Sequence, residues 1–254
     1  MLHYYQGNAL YDYIITNKVE RYNFVTGNMW QLVYGDHCST PKLLIVVSGV
    51  DEKDWGDFSD REIKAFRQLN QLSNLHQLPC FLLQFKAFGD TFDEINLCKS
   101  SHQLSFTKLT PRQLKDLFRD HGLAVNDKRA TKYLNDKVSS AYHKWQRDTL
   151  GSDITVSDID LWIHKDNKLF AVCELKRSKV SLEKWEPYED DFKNFRLIHN
   201  LSYPNYKFFI IYNLRTPSPF KDDISLLKVF EVDFSQSQPI RYVDTYPVER
   251  LISR

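Results

Sequence analysis

The chain has 254 residues and a net charge of +1, with 42% hydrophobic and 26% charged residues. That composition suits one large α/β domain or two small ones with a substantial core, and it excludes global disorder. Apolar runs such as Leu43–Val47 are far too short to cross a bilayer, and the start Met1-Leu2-His3-Tyr4-Tyr5 does not resemble a secretion signal, so a cytoplasmic protein is expected.

Cys38, Cys80, Cys98 and Cys173 are scattered without Cys-x-x-Cys spacing, which argues against a zinc ribbon and a disulfide framework. Charge is uneven along the chain. Residues 101–150 hold 10 basic and 5 acidic side chains, whereas residues 151–200 hold 8 and 10. A basic segment directly ahead of an acidic one suits a phosphate-contacting surface beside a metal site, although a solvated helix face gives the same count.

Residues 1–105 read as an N-terminal α/β region. Leu43–Val47 and Phe81–Phe85 are expected as buried strands. Between them, Ser59–Leu78 reads as a helix with Ile63, Phe66, Leu69 and Leu72 on one face and a Ser59/Glu62 capping box at its start. The acids Asp51, Glu52, Asp54, Asp57 and Asp60 cluster in a loop that lacks the spacing of a calcium hand. Residues 106–254 read as a second domain. Thr110-Pro111 opens a short helix that ends near Gly122, and a longer helix is expected from Lys128 to Arg147. On it Ala130, Leu134, Val138, Ala141 and Trp145 form the apolar face, and Lys132, Asp136, Ser139, His143 and Arg147 a polar stripe.

From Gly151 onward the pattern becomes informative. Ile154–Ile163 reads as one or two strands, Leu169–Lys176 as another, Trp185–Asn200 as an amphipathic helix and Lys207–Tyr212 as a buried strand. The last helix is a crossover, so the strands on either side of it are expected to be parallel neighbours. The tail adds strands near Leu227–Phe234 and Ile240–Val243.

Alternation along a strand puts Asp158 and Asp160 on one face and Ile159, Leu161 and Ile163 on the other. In the next strand Glu174 and Lys176 share a face, opposite Ala171, Cys173 and Leu175. If Lys165 opposes Leu169 across the turn, Asp160 comes to lie opposite Glu174. A two-residue loop puts them on opposite faces, so a shared site requires an odd-length loop or a bulge. Opposed carboxylates repel unless a cation sits between them, and Mg²⁺ accepts one or two carboxylates plus waters and a substrate phosphate.

Asp160, thirteen intervening residues and then Glu174-Leu175-Lys176 at the end of an apolar run resemble the PD-(D/E)xK nuclease superfamily. The resemblance covers about residues 128–213 and implies a restriction-endonuclease-like fold, a mixed sheet flanked by helices. It departs from the family in having Ile159 rather than proline before the aspartate. It implies that Asp160 and Glu174 bind Mg²⁺ or Mn²⁺, with the carbonyl of Leu175 as a further ligand. Lys176 would orient or activate the attacking water. Asp160 is favoured over Asp158 because it leads directly into Leu161-Trp162-Ile163, and Asp158 is kept as an accessory ligand.

Asp136 and His143 are accessory candidates on the preceding helix, although a plain surface role is the commoner one for both. Arg129, Lys132, Arg177, Lys179 and Asn194 are the candidates for phosphate contacts. The expected function is a metal-dependent nuclease, with DNA favoured over RNA. The competing reading is an inactive nuclease-fold module that binds nucleic acid or a protein partner. Residues 1–105 would supply target recognition, a partner contact or a homodimer interface.

Overall fold

The protein was analysed as a computed structural model that describes residues 8–87, 91–126, 140–217 and 220–252. In chain order the first elements are α1 (Ala9–Thr16), β1 (Tyr22–Asn23), β2 (Met29–Gly35), β3 (Pro41–Val50), α2 (Asp60–His76) and β4 (Cys80–Lys86). There follow β5 (Ile95–Cys98), β6 (Thr107–Leu109), α3 (Pro111–Asp120), α4 (Ala141–Thr149) and β7 (Thr155–Asp158). The chain ends with β8 (Leu161–Lys165), β9 (Lys168–Ser178), α5 (Phe192–Ser202), β10 (Lys207–Pro217), β11 (Phe220–Val232) and β12 (Ile240–Pro247). These form two mixed six-stranded sheets flanked by helices.

The boundary at 105/106 expected from the sequence is not where the chain divides. One compact unit comprises Val25–Asp158, and the other joins Tyr5–Phe24 to Ile159–Arg254. The first unit is thus an insertion between β1 and β8 of the second.

In the first unit the strand order is β6-β5-β4-β3-β2-β7. The run Leu43–Val47 is wholly buried at the centre of β3, where β4 pairs with it in parallel through the α2 crossover. The Ser59/Glu62 capping box is present, and Phe66, Leu69 and Leu72 are buried. The Thr110 cap and Pro111 start α3 as expected, and Gly122 takes the left-handed conformation (φ +76°) past its end. The long helix expected from Lys128 is different. Residues 127–139, which include Arg129, Lys132 and Asp136, lie outside the described residues. Ser140 is extended, and its hydroxyl accepts from the His143 N–H, so a separate helix, α4, begins there. Serine satisfies the open N–H groups of a helix start and is a poor choice for a helix interior.

His143 belongs to this unit's interior. Its ring packs edge-on to Trp30, with centroids 4.6 Å apart, and Nδ1 hydrogen-bonds Ser140 Oγ at 2.8 Å. Burial, and after it the nearby Arg147 guanidinium, pushes its pKa down to about 4. These contacts make it a core histidine in the first turn of α4, in place of the accessory ligand expected from the sequence.

In the second unit the order is β1-β8-β9-β10-β11-β12. Strands β9 and β10 are parallel, as the crossover requires, and the remaining pairs are antiparallel. The crossover helix is shorter than expected. Trp185 lies in the connector ahead of it, Glu189–Asp191 form a 3₁₀ turn, and α5 starts only at Phe192. Pro187 accounts for the delay, because a proline disfavours helical geometry at the residue before it. Tyr188, expected to face inward, is 53% exposed. Trp185 is buried and stacks on Tyr212 with centroids 4.0 Å apart and planes 2° from parallel.

The β8–β9 hairpin decides how the site is built. Its turn has two residues, Asp166 (φ 52°) and Asn167 (φ 60°), both left-handed, the conformation that matches strand twist in a tight hairpin. With that turn alone, Lys165 pairs with Lys168 and His164 with Leu169. The register then shifts between Ile163 and His164, and Ile163 pairs with Ala171, leaving Phe170 as the extra residue of a bulge. Of the two routes to a shared face, the hairpin takes the bulge.

Two stability predictions follow from this arrangement. Asn167→Val should destabilise the protein by about 1–2 kcal/mol, since a β-branched side chain is poorly tolerated in the left-handed region, whereas Asn167→Gly should cost nothing. Urea denaturation of the two variants checks this, and equal loss in both would contradict the turn geometry. The neutral His143 ring refuses a proton that the unfolded chain accepts. The stability it carries is therefore full above about pH 6.5 and is lost as the pH falls toward 4. Unfolding free energies measured across that window should slope less in His143→Phe than in wild type, and parallel slopes would refute the assignment.

Candidate active site

Strands β8 and β9 bring Asp160 and Glu174 together. Leu161 pairs with Cys173, so Asp160, one residue before, stands at the level of Glu174. Its backbone is held on both sides. The Asp160 N–H donates to the Cys173 carbonyl at 3.2 Å, and the Asp160 carbonyl accepts from the Tyr11 hydroxyl of α1 at 2.8 Å. Its carboxylate Oδ2 accepts from the Leu175 N–H at 2.7 Å, across the next peptide unit from Glu174. Asp160 and Glu174 are only 8% and 9% exposed.

Two nearly buried carboxylates require a counter-charge, and Lys176 supplies one. Its Nζ lies 2.9 Å from Glu174 Oε1 and 3.2 Å from Asp191 Oδ2, over the face of the Phe195 ring at 5.4 Å. Burial works against the ammonium, but Glu174, then Asp191, and more weakly Asp160 hold its pKa well above the ordinary lysine value. Lysine is therefore charged at every physiological pH. Three carboxylates thus gather around one ammonium.

The donor set matches a divalent cation in kind. Hard cations such as Mg²⁺ take oxygen ligands and use one or two carboxylates, completing their shell with water. Among the described residues no three His, Cys, Asp or Glu side chains converge as a ready-made metal cage. Asp160, Glu174 and the Leu175 carbonyl would therefore form a partial oxygen shell, with the remaining positions open to water or substrate.

Other expected residues fall elsewhere. Asp158 does not share a strand face with Asp160. It is the last residue of β7, paired with Leu32 in the first unit's sheet, and the chain passes between sheets at Ile159. Ile154–Ile163, expected as one or two strands, is two, and the crossing falls where the apolar positions change phase, from Ile154 and Val156 to Ile159, Leu161 and Ile163. Arg177 is not a free phosphate contact. It lies on the opposite side of β9 from Lys176 by alternation, and its guanidinium meets Asp222 Oδ2 at 3.0 Å. Arg215 Nε meets Asp222 Oδ1 at 2.6 Å, and the Ala9 N–H at the start of α1 donates to Oδ2 at 3.3 Å. The Asp222 side chain is fully buried among them. Despite the cost of burial, Arg215 and Arg177 hold its pKa below the usual aspartate value. Arg177 thus fastens β9 to β11 and α1. Lys179 is exposed, and Asn194 is half-buried on α5 beside Phe195.

Sequence reasoning missed Asp191, because it placed this residue inside a helix running from Trp185. The signal was present in Glu189-Asp190-Asp191, an acidic run immediately ahead of the apolar periodicity that begins at Phe192. Acids concentrate at helix starts. Tyr11, which holds the Asp160 carbonyl, carries no signal in the sequence.

No protein-family model matches this chain, and no curated protein matches it. Among solved structures, a crystal structure titled as the sex pheromone staph-cAM373 precursor aligns over 94% of this chain and 92% of its own, at 9% identity and a TM-score of 0.21. A sex pheromone precursor from Lactobacillus salivarius subsp. salivarius UCC118 aligns over 81% of this chain and 61% of its own, at 8% identity and a TM-score of 0.15. Similarity at that level carries no argument about fold or function.

Proposed function

We propose that this chain is a divalent-metal-dependent nuclease of the PD-(D/E)xK kind, acting on DNA, with its second unit as the restriction-endonuclease-like core. The observation that carries this reading is the set of Asp160, Glu174 and Lys176 on two adjacent strands, with both carboxylates nearly buried and the ammonium within 2.9 Å of Glu174. The order of elements within the second unit supports it as well: α1 and the short β1, the antiparallel β8–β9 hairpin, the crossover helix α5, and β10 parallel to β9.

Asp160, Glu174 and the Leu175 carbonyl would hold Mg²⁺ or Mn²⁺. The cation would offset the charge of the scissile phosphate and make a water more acidic. The chain's own residues do the rest. Lys176 can only donate, so its part is to orient the attacking water or to stabilise charge on the phosphate oxygens. Asp160 stays in place because its backbone is tied to Cys173 and Tyr11. Exposed Lys179, together with Asn194, would grip the DNA backbone, which sets affinity more than turnover. The first unit would add target recognition, a partner contact or a dimer contact. Among the described residues no helix is long and apolar enough to cross a membrane.

Incubation with plasmid DNA, single-stranded DNA and RNA in Mg²⁺ or Mn²⁺ tests the proposal. Wild type should cleave DNA, and Asp160→Asn and Glu174→Gln should each lose about 10²-fold or more in rate. Lys176→Ala should lose cleavage while retaining Mn²⁺ binding, because lysine is not a ligand. DNA binding without cleavage in either metal would favour the inactive binding module instead.

A further inference from the structure

The connector between β9 and α5 is fastened unusually well for a loop. The Tyr212 hydroxyl, beside Lys176 in the parallel register, donates to the carbonyls of Ser178 and Val180. Trp185 stacks on the same Tyr212 ring. Lys228, itself buried, donates to the Trp185 carbonyl at 2.7 Å and pairs with Glu186 at 3.0 Å. These contacts fix the path of the chain up to the 3₁₀ turn that carries Asp191.

Asp191 is the last residue of that turn, where it runs into α5. Its backbone is helical (φ −91°, ψ −6°), and its side chain makes no capping hydrogen bond. Its Oδ2 lies 3.2 Å from Lys176 Nζ. The lysine thus has a second anionic partner besides Glu174.

We infer that Asp191 is the positioning residue for Lys176, an inference that rests on the nuclease reading. Lys176 stands between Glu174 and Asp191. A cation taken up by Asp160 and Glu174 competes with the ammonium for Glu174. Asp191, on the far side, retains Lys176 next to the site when that pair is weakened. Without Asp191 the ammonium keeps only the Phe195 ring face and its weaker interaction with Asp160 once Glu174 turns to a metal. Asp191 acts through the lysine and touches no substrate.

A double-mutant cycle on the full chain separates this from a general electrostatic or folding effect. Asp191→Asn should lower kcat on DNA about 10- to 100-fold with KM little changed, as expected for a misplaced group. Asp191→Glu should restore most of the rate. In a Lys176→Met background Asp191→Asn should have no further effect. A second readout needs neither metal nor turnover. The ¹⁵Nζ resonance absent from Lys176→Met should be protected from exchange in wild type, lost in Asp191→Asn and recovered in Asp191→Glu. A multiplied loss in the Lys176→Met background, or an unchanged Lys176 resonance in Asp191→Asn, would overturn the inference. If wild type cleaves and Asp191→Asn cleaves equally well, only the role of Asp191 fails. If wild type cleaves nothing, the nuclease reading fails and the positioning role falls with it.

Discussion

Asp160 and Glu174 are both nearly buried, and the register of one hairpin sets them at the same level on neighbouring strands. Like charges opposed across a sheet repel, and the penalty grows as water is removed. The rest of the second unit can be understood as the means of tolerating that pair. Lys176 brings an ammonium against Glu174, the Leu175 N–H donates to Asp160, and Asp191 approaches Lys176 from the crossover helix. A fold that merely needed a stable sheet would place apolar side chains at these positions, since a buried ion pair is often no better than a hydrophobic replacement. Retaining the carboxylates points to a use for them.

The supports converge on β9 from both of its faces. On the Lys176 side, Phe195 of α5 and the Trp185–Tyr212 stack enclose the lysine and its connector. On the other side, Asp222 ties Arg177, Arg215 and the first turn of α1 together. The same helix sends Tyr11 to the Asp160 carbonyl. Residues that adjoin the site in sequence therefore divide by the alternation of the strand. Glu174 and Lys176 lie on the side of the candidate site, and Arg177 holds the scaffold.

Much of this was legible in the sequence wherever local signals and tertiary demands agree. The β9–α5–β10 crossover followed from the apolar runs and helix periodicity, and the Ser59 capping box and the Thr110 cap with Pro111 marked helix starts correctly. The parity argument for the hairpin left two routes open, and the bulge at Phe170 is the one taken. What could not be read depends on long-range placement. The sequence left open whether Ile154–Ile163 is one strand or two, and the chain changes sheets within it, so Asp158 pairs with Leu32 in β2 while Asp160 leads into β8. Basic character alone suggested phosphate for Arg177, but its partner Asp222 lies 45 residues away. Helical spacing from Trp185 hid Pro187's effect, and with it Asp191.

The central claim is that Asp160 and Glu174 act as one oxygen-donor pair for a divalent cation. Anomalous diffraction from crystals grown with Mn²⁺ tests it most directly. The account predicts one Mn²⁺ peak bridging the Asp160 and Glu174 carboxylates at about 2.1 Å, with Lys176 withdrawn from Glu174 toward Asp191. Crystals saturated with Mn²⁺ that show no peak there, with Lys176 still paired to Glu174, would contradict it.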